Sequence, residues 1–365
     1  MVRSEKKHRI IFIDLMRAFA VIQMVQGHTV DALLAPEYRS DDFPIYFIWN
    51  FMRGLTAPIF MFSAGTVFTY LFRLVNEPFE NNPRVKKGFY RFLLLVFIGY
   101  LLRYPTFTLV DFSDVTRERW DIFFTVDVLQ LIGFGILFLL ISAYISEKLK
   151  IGDTIVFTAI SLFFFIGTPF IIQINWIQYL PQFLAGYLYG GTGSLFPLFP
   201  WVGYVVLGGV LGSYLAKNPM VFKTNKFSFN LALFGSALIF ASQTGKLITN
   251  KAFNFYYEPS SFVPDIIVFR VGFVLVLNSI VSYISQKIES IPKIIILVGR
   301  NTLLIYVIHL MILYGSAWNP GITLLFLHSF GVALTIICAL VMITLMVLMV
   351  YTLSKLKFKN KQLVT

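Results

Sequence analysis

Apolar runs long enough to cross a bilayer recur from one end of this chain to the other, and no stretch between them is long enough to fold as a separate water-soluble domain. A hydrocarbon core of about 30 Å takes about 20 helical residues. Runs of that order lie at 10–34, 45–72, 89–104, 122–145, 154–174, 197–216, 229–245, 263–284, 294–315 and 330–353. The expected fold is all-α: a polytopic integral membrane protein of about ten transmembrane helices. It forms a single domain over 1–365, with basic cytoplasmic tails at 1–9 and 354–365. The third run is short and is expected to extend past Pro105. The first is long, carries Arg17 and His28 and lacks a small-residue cleavage site, so it reads as a permanent helix rather than a removed leader. The uncharged, aromatic stretch 175–196 is expected at the outer interface.

A net charge of +12 can signal nucleic acid, but here the basic residues lie in short loops between apolar runs. With the N-terminus inside, twenty fall in cytoplasmic segments and five (Arg39, Arg117, Arg119, Lys246, Lys251) in outer loops. That asymmetry is the positive-inside signature and sets both ends in the cytoplasm. Nucleic acid is therefore not an expected partner. Membrane lipid is, and the basic C-terminal tail is expected against the anionic inner leaflet. The single cysteine, Cys338, lies in an apolar run and permits no intrachain disulfide.

The remaining five arginines, Arg17, Arg53, Arg103, Arg270 and Arg300, fall within or at the edges of spans. An ionisable side chain there costs several kcal/mol unless paired or watered, and its default reading is functional. The first span is the most informative. At about 100° per residue, the eleven-residue step from Arg17 to His28 returns to within about 20° of the same face, with a rise of about 16 Å. Asp14 and Asp31 join that stripe. One face thus carries a carboxylate, a guanidinium, an imidazole and a second carboxylate. Arg17 lies in the inner half and His28 in the outer half.

The second span places Arg53 among Gly54, Ala57, Ala64 and Gly65, residues that permit close helix approach, with Pro58 able to kink it. The ninth carries Arg300 at its cytoplasmic end, and Tyr306 and His309 on one face. A packing bond between those two weighs as much as a substrate contact. Asp127, Gln130, Arg103, Asp265 and Arg270 add polar groups toward the outer half, Asp265 as a helix cap. The chain has no HExxH, CxxC, Walker lysine loop or GxSxG elbow, and its four histidines are scattered, so no metal is expected.

Taken in order, these motifs resemble the membrane acyltransferase superfamily, that is, acyltransferase-3 proteins and relatives of heparan-α-glucosaminide N-acetyltransferase. The matching elements are Arg17-x10-His28, Arg53-Gly54-Leu55-Thr56-Ala57-Pro58, Val128-Leu129-Gln130-Leu131-Ile132-Gly133, Phe196-Pro197-Leu198-Phe199-Pro200-Trp201 leading to Gly208-Gly209, and Gly299-Arg300-Asn301-Thr302 to Tyr306-x-x-His309. The resemblance implies transfer of an acyl group, usually acetyl, from cytoplasmic acyl-CoA to a hydroxyl or amine of an extracytoplasmic glycan or glycolipid. It implies His28 as general base or as carrier of an acyl-His intermediate, with Asp31 or Asp14 tuning it, Arg53 facing developing charge or an acidic sugar, and Arg17 and Arg300, beside Asp14, on the CoA side. Gln130, Arg103, Arg270, Tyr306 and His309 become further cavity candidates. The expected location is a bacterial inner membrane, and the expected role is modification of cell-envelope polysaccharide. Two positions depart from the family. Ala18 follows Arg17 where glycine is frequent. The lysosomal branch carries its histidine after the first helix, but 34–45 contains none, which directs attention to His28. The alternative reading is a transporter or flippase for an anionic metabolite or lipid-linked sugar, which internal repeats would favour; none is visible.

Overall fold

A computed structural model describes residues 11–218, 220–252, 264–288 and 290–362; the expected basic tail at 1–9 lies outside them. The helices are α1 (Ile11–Leu33), α2 (Pro44–Arg73), α3 (Pro83–Leu102), α4 (Arg117–Phe123), α5 (Val128–Lys148), α6 (Asp153–Ile171), α7 (Gln182–Ala185), α8 (Leu198–Lys217), α9 (Asn225–Ala252), α10 (Pro264–Lys287), α11 (Lys293–Arg300), α12 (Thr302–Tyr314), α13 (Thr323–Phe326) and α14 (Val332–Gln362). Strands β1 (Gly315–Ser316) and β2 (Asn319–Pro320) form a small antiparallel hairpin.

Among the described residues, seven helices are long and apolar enough to cross a membrane: α2, α4 continued by α5, α6, α8, α9, α10 and α14. The pair α11–α12 would be an eighth, but it bends by 74°. This is fewer than the ten expected, although every expected run overlies a helix. The difference falls on α1, diluted by Asp14, Arg17, Gln23, Gln26, His28 and Asp31, and on α3, with Arg84, Lys86, Lys87 and Arg91 in its first half. The chain is an integral membrane protein by these helices.

Two boundaries differ from expectation for local reasons. The third run grows toward its start, not past Pro105. Pro83 occupies the first helical position, and the Asn82 side chain accepts the Arg84 amide at 2.9 Å, a start signal combining proline and a cap. The ninth run breaks at Asn301. Its amide bonds back to Leu297 and Val298, its side chain donates to the Leu297 carbonyl at 2.8 Å, and its carbonyl accepts the Ile305 amide at 3.0 Å. Asn301 thus closes one helix and opens the next. By contrast, α2 is one helix through Pro58.

The polar helix α1 is enclosed, packing against α2, α10, α11, α12 and α14. Its last carbonyls, which have no partner within the helix, are all engaged. Arg39 donates to the Asp31 carbonyl and, through Nε at 2.9 Å, to that of Leu34. The amides of His328 and Phe330 donate to Ala32 and Leu33, each at 2.9 Å. Because Arg39 is a cation at a helix C-terminus, charge and hydrogen bonding act together there. At the other end a Cβ on Gly299 would sit 2.7 Å from the Asp14 carbonyl and 3.5 Å from the Ala18 amide. The α1 backbone is therefore touched by α11, and a small residue at 18 suffices for that approach. The same logic joins α2 to α8. A Cβ on Gly65, Gly208 or Gly212 would strike the facing backbone at Val205, Phe62 or Thr66, and the Thr66 hydroxyl donates to the Gly208 carbonyl at 3.0 Å.

Where α2 ends and α6 begins, the buried Asp153 carboxylate accepts from Arg73 at 2.7 and 2.9 Å, from Ser146 at 2.7 Å and from Ser213 at 2.5 Å. Glu147 takes another Arg73 nitrogen and the Phe79 amide. This staple ties four helices. Removing one partner of a buried pair strands the other, so Asp153→Ala is expected to cost about 3 kcal/mol. Thermal unfolding in detergent reads this directly; an unchanged midpoint would mean that Glu147 alone satisfies Arg73.

Candidate active-site cavity

At the end of the bundle where α1, α3 and α12 finish and α2, α5, α8 and α10 begin, the helices enclose a cavity of about 1070 Å³. Its wall from α1 runs from Gln23 to Asp31 and includes His28. From α2 it takes Asn50, Arg53, Gly54, Thr56, Ala57 and Phe60, and Arg103, Asp127, Gln130, Arg270 and Tyr306 line it too. Eight sequence candidates, if Asp127 is counted with them, are therefore brought together from six helices far apart in the chain.

The charges are paired in a definite pattern. Asp31 accepts Arg53 Nη2 at 2.7 Å and faces Arg39 Nη1 at 3.7 Å. It is thus shared by two arginines. Arg53 keeps 43% of its side chain exposed and lies over the Trp49 ring at 5.8 Å. Asp127 accepts Arg103 Nη2 at 2.9 Å while its other oxygen takes the Val128 amide at 2.7 Å, so it also caps α5. Gln130 completes the capping box by accepting the Asp127 amide at 3.3 Å. Its amide fills the space that a Cβ on Gly99 would need. Arg270 stacks on Trp201 at 5.3 Å.

His28 is half-buried in this wall. Its ring lies 5.4 Å from that of His309 and 6.3 Å, edge-on, from that of Tyr314. His309 does not itself line the cavity. It is fully buried behind His28 and bonds through Nδ1 to the Ile305 carbonyl at 2.7 Å. The expected Tyr306–His309 pairing is a ring contact at 5.7 Å.

Asp14, Arg17 and Arg300 lie apart, at the opposite end of α1. Arg17 Nη2 donates to the Thr302 hydroxyl at 3.2 Å, at the break between α11 and α12. Asp14 is buried under Gly299, and Arg300 is exposed. The charges that act on Arg17 are Asp14, Arg91 and Arg300.

Sequence reasoning missed Tyr104, Arg119, Trp201 and Tyr314 in the cavity, and Arg91 at the far end. Tyr314 had a signal, for Tyr306, Leu310 and Tyr314 repeat every four residues along one face. Tyr104 and Arg119 had none, because the turn after α3 and the short helix α4 bring them in.

The family described as heparan-alpha-glucosaminide N-acetyltransferase, catalytic, matches residues 9–246. The match runs from α1 into α9 and covers His28, Asp31, Arg53, Arg103, Asp127 and Gln130. No curated protein matches the chain. The chain belongs to this catalytic family.

Proposed function

We propose that this member of the heparan-alpha-glucosaminide N-acetyltransferase catalytic family moves an acyl group, acetyl, from cytoplasmic acyl-CoA to a hydroxyl or amine of an extracytoplasmic glycan, in a bacterial inner membrane. One observation carries the reading. His28 stands in the wall of a large cavity that Asp31, Arg53, Arg103, Asp127 and Arg270 also line, while Arg17, on the same face of the same helix, stands at the opposite end, about 16 Å away by helical rise. The spacing suits a donor whose anionic head and reacting thioester are far apart.

His28 would take the proton of the acceptor hydroxyl or amine as that atom attacks the thioester carbon. The new C–O or C–N bond forms, the C–S bond breaks, and the departing thiolate takes the proton from His28. Arg53 faces the charge that develops on the carbonyl oxygen. At the other end Arg17 and Arg300 would hold phosphate oxygens, for which the guanidinium fork is suited. The first turn of α12 opens beside Arg17, and helix N-termini favour anions.

Purified protein given acetyl-CoA and an aryl α-glucosaminide should release CoA only when the acceptor is present. Mass spectrometry of envelope glycans from a deletion strain should show loss of an acetyl group. If purified protein transfers nothing and the deletion leaves every glycan unchanged, the reading is wrong. Arg17→Lys retains charge but loses the fork. It is expected to raise the Kd for acetyl-CoA about tenfold, an effect of about 1.4 kcal/mol, with acceptor KM unchanged; unaltered donor affinity would remove Arg17 from the donor site.

A further inference from the structure

A histidine that acts as a base at one ring nitrogen needs a partner at the other, to fix its tautomer and to stabilise the ring once it charges. Carboxylates usually serve. Here both carboxylates of the cavity are committed to arginine, Asp31 to Arg53 and Arg39, Asp127 to Arg103 and the α5 cap. Tyr314 meets the His28 ring edge-on, and its hydroxyl donates to the His28 carbonyl at 3.5 Å, which spends it on the backbone.

The other ring in contact with His28 is that of His309. It sits four residues after Ile305 on α12, so its Nδ1 meets the Ile305 carbonyl at 2.7 Å. A carbonyl only accepts, so Nδ1 carries the proton and Nε2 presents a lone pair. That Nε2 is buried and has no hydrogen-bond partner. A buried polar atom left so costs about 1–3 kcal/mol and calls for an explanation. The ring next to it is His28, at 5.4 Å between centroids and 48° between planes.

We propose that His309 is a positioning residue for His28. Its Nε2 accepts the N–H of the His28 nitrogen that does not face the acceptor, once His28 turns in its cavity to take up the acceptor's proton. The backbone carbonyl of Ile305 sets the tautomer of His309, and His309 sets that of His28. The inference rests on the acyl-transfer role of His28 but is tested apart from it.

The chain has four histidines, His8, His28, His309 and His328, so ¹⁵N-histidine labelling gives four ring systems, assignable by single substitutions. In the full-length protein in detergent, His309 should show the Nδ1–H form, and His28 one tautomer. In His309→Leu, His28 should become a mixture of tautomers. With acetyl-CoA and an aryl α-glucosaminide, kcat should fall about 100-fold, within the range of general acid–base effects, with both KM values within about twofold of wild type. His309→Gln, whose side-chain carbonyl can accept in place of Nε2, should recover at least about tenfold of that loss. A His28 tautomer indifferent to His309→Leu, with kcat unchanged, overturns the proposal. A histidine kept for packing predicts lost stability with kcat intact in the protein that folds. If His309→Leu does not fold, His309→Gln and His309→Asn decide. The shorter amide cannot reach as Nε2 does, so equal kcat in the two overturns it. If wild-type protein transfers nothing, the acyl-transfer reading fails, while the tautomer of His28 still decides the role of His309.

Discussion

His28→Ala is expected to lower acetyl transfer by about 1,000-fold or more while leaving expression and acetyl-CoA binding intact. The loss follows from removing the only imidazole in the described cavity wall, and with it the group that takes the acceptor's proton. Folding should survive, because the side chain is half-buried at a cavity and α1 is held by its backbone and by Arg39, His328 and Phe330 at its end. Donor affinity should survive because Arg17 is about 16 Å away along the helix. A purely structural His28 predicts the reverse, namely lost folding with retained activity in whatever remains. Two mechanisms share the loss of activity. A general base acts on the acceptor, whereas a nucleophile forms an acyl-imidazole first. Labelled acetyl-CoA without acceptor separates them, since label on His28 after denaturation would replace the general-base assignment with the covalent one.

What the sequence disclosed about this site was periodicity. The stripe Asp14–Arg17–His28–Asp31 was legible because a helix repeats its faces at fixed spacing, and its two ends do lie at two ends of the bundle. Arg53 was legible as a charge without an excuse in an apolar run. What periodicity does not carry is partner choice. Asp31 and His28 are three apart on α1, yet Asp31 turns to Arg53 on α2 and to Arg39 in the following loop. Likewise Asp127 is held by Arg103 from the end of α3. The same limit applies to the fold. Apolar runs placed the helices, but the 74° break falls at Gly299-Arg300-Asn301-Thr302, polar residues that read as the cytoplasmic end of a span, and it depends on local bonds of one asparagine. The staple of Arg73, Glu147 and Asp153 joins residues that read as ordinary loop charges, because only the packing of α2, α5, α6 and α8 makes them neighbours. His309 was legible as a polar residue on a face, but not as one lying behind His28.

Arg53 is the second large effect, and its two possible roles part in kinetics. Its Nη2 is bound to Asp31 at 2.7 Å, yet a guanidinium has five N–H donors in a fixed fork, and 43% of the side chain is exposed. Asp31 also faces Arg39, so the carboxylate is shared by two cations and the cluster keeps a net positive charge toward the cavity. If that charge meets the oxygen of the transition state, Arg53→Gln should lower kcat by about 100- to 1,000-fold, the cost of one oxyanion-stabilising donor, with little change in either KM. Arg53→Lys, retaining charge without the fork, should fall between. If instead Arg53 holds an acidic group of the acceptor, the same substitution removes binding shared by ground and transition states. It then raises acceptor KM and leaves kcat unchanged. Double substitution with Asp31→Asn sharpens the distinction. In an Asp31→Asn background Arg39 still anchors the end of α1 through backbone carbonyls, so the fold should hold. Arg53, released from its partner, should retain kcat if its charge is what matters and lose it if Asp31 is needed to aim the fork. A kcat insensitive to Arg53→Gln, with acceptor KM equally unmoved, would take Arg53 out of the site altogether and leave it as the counter-ion of Asp31.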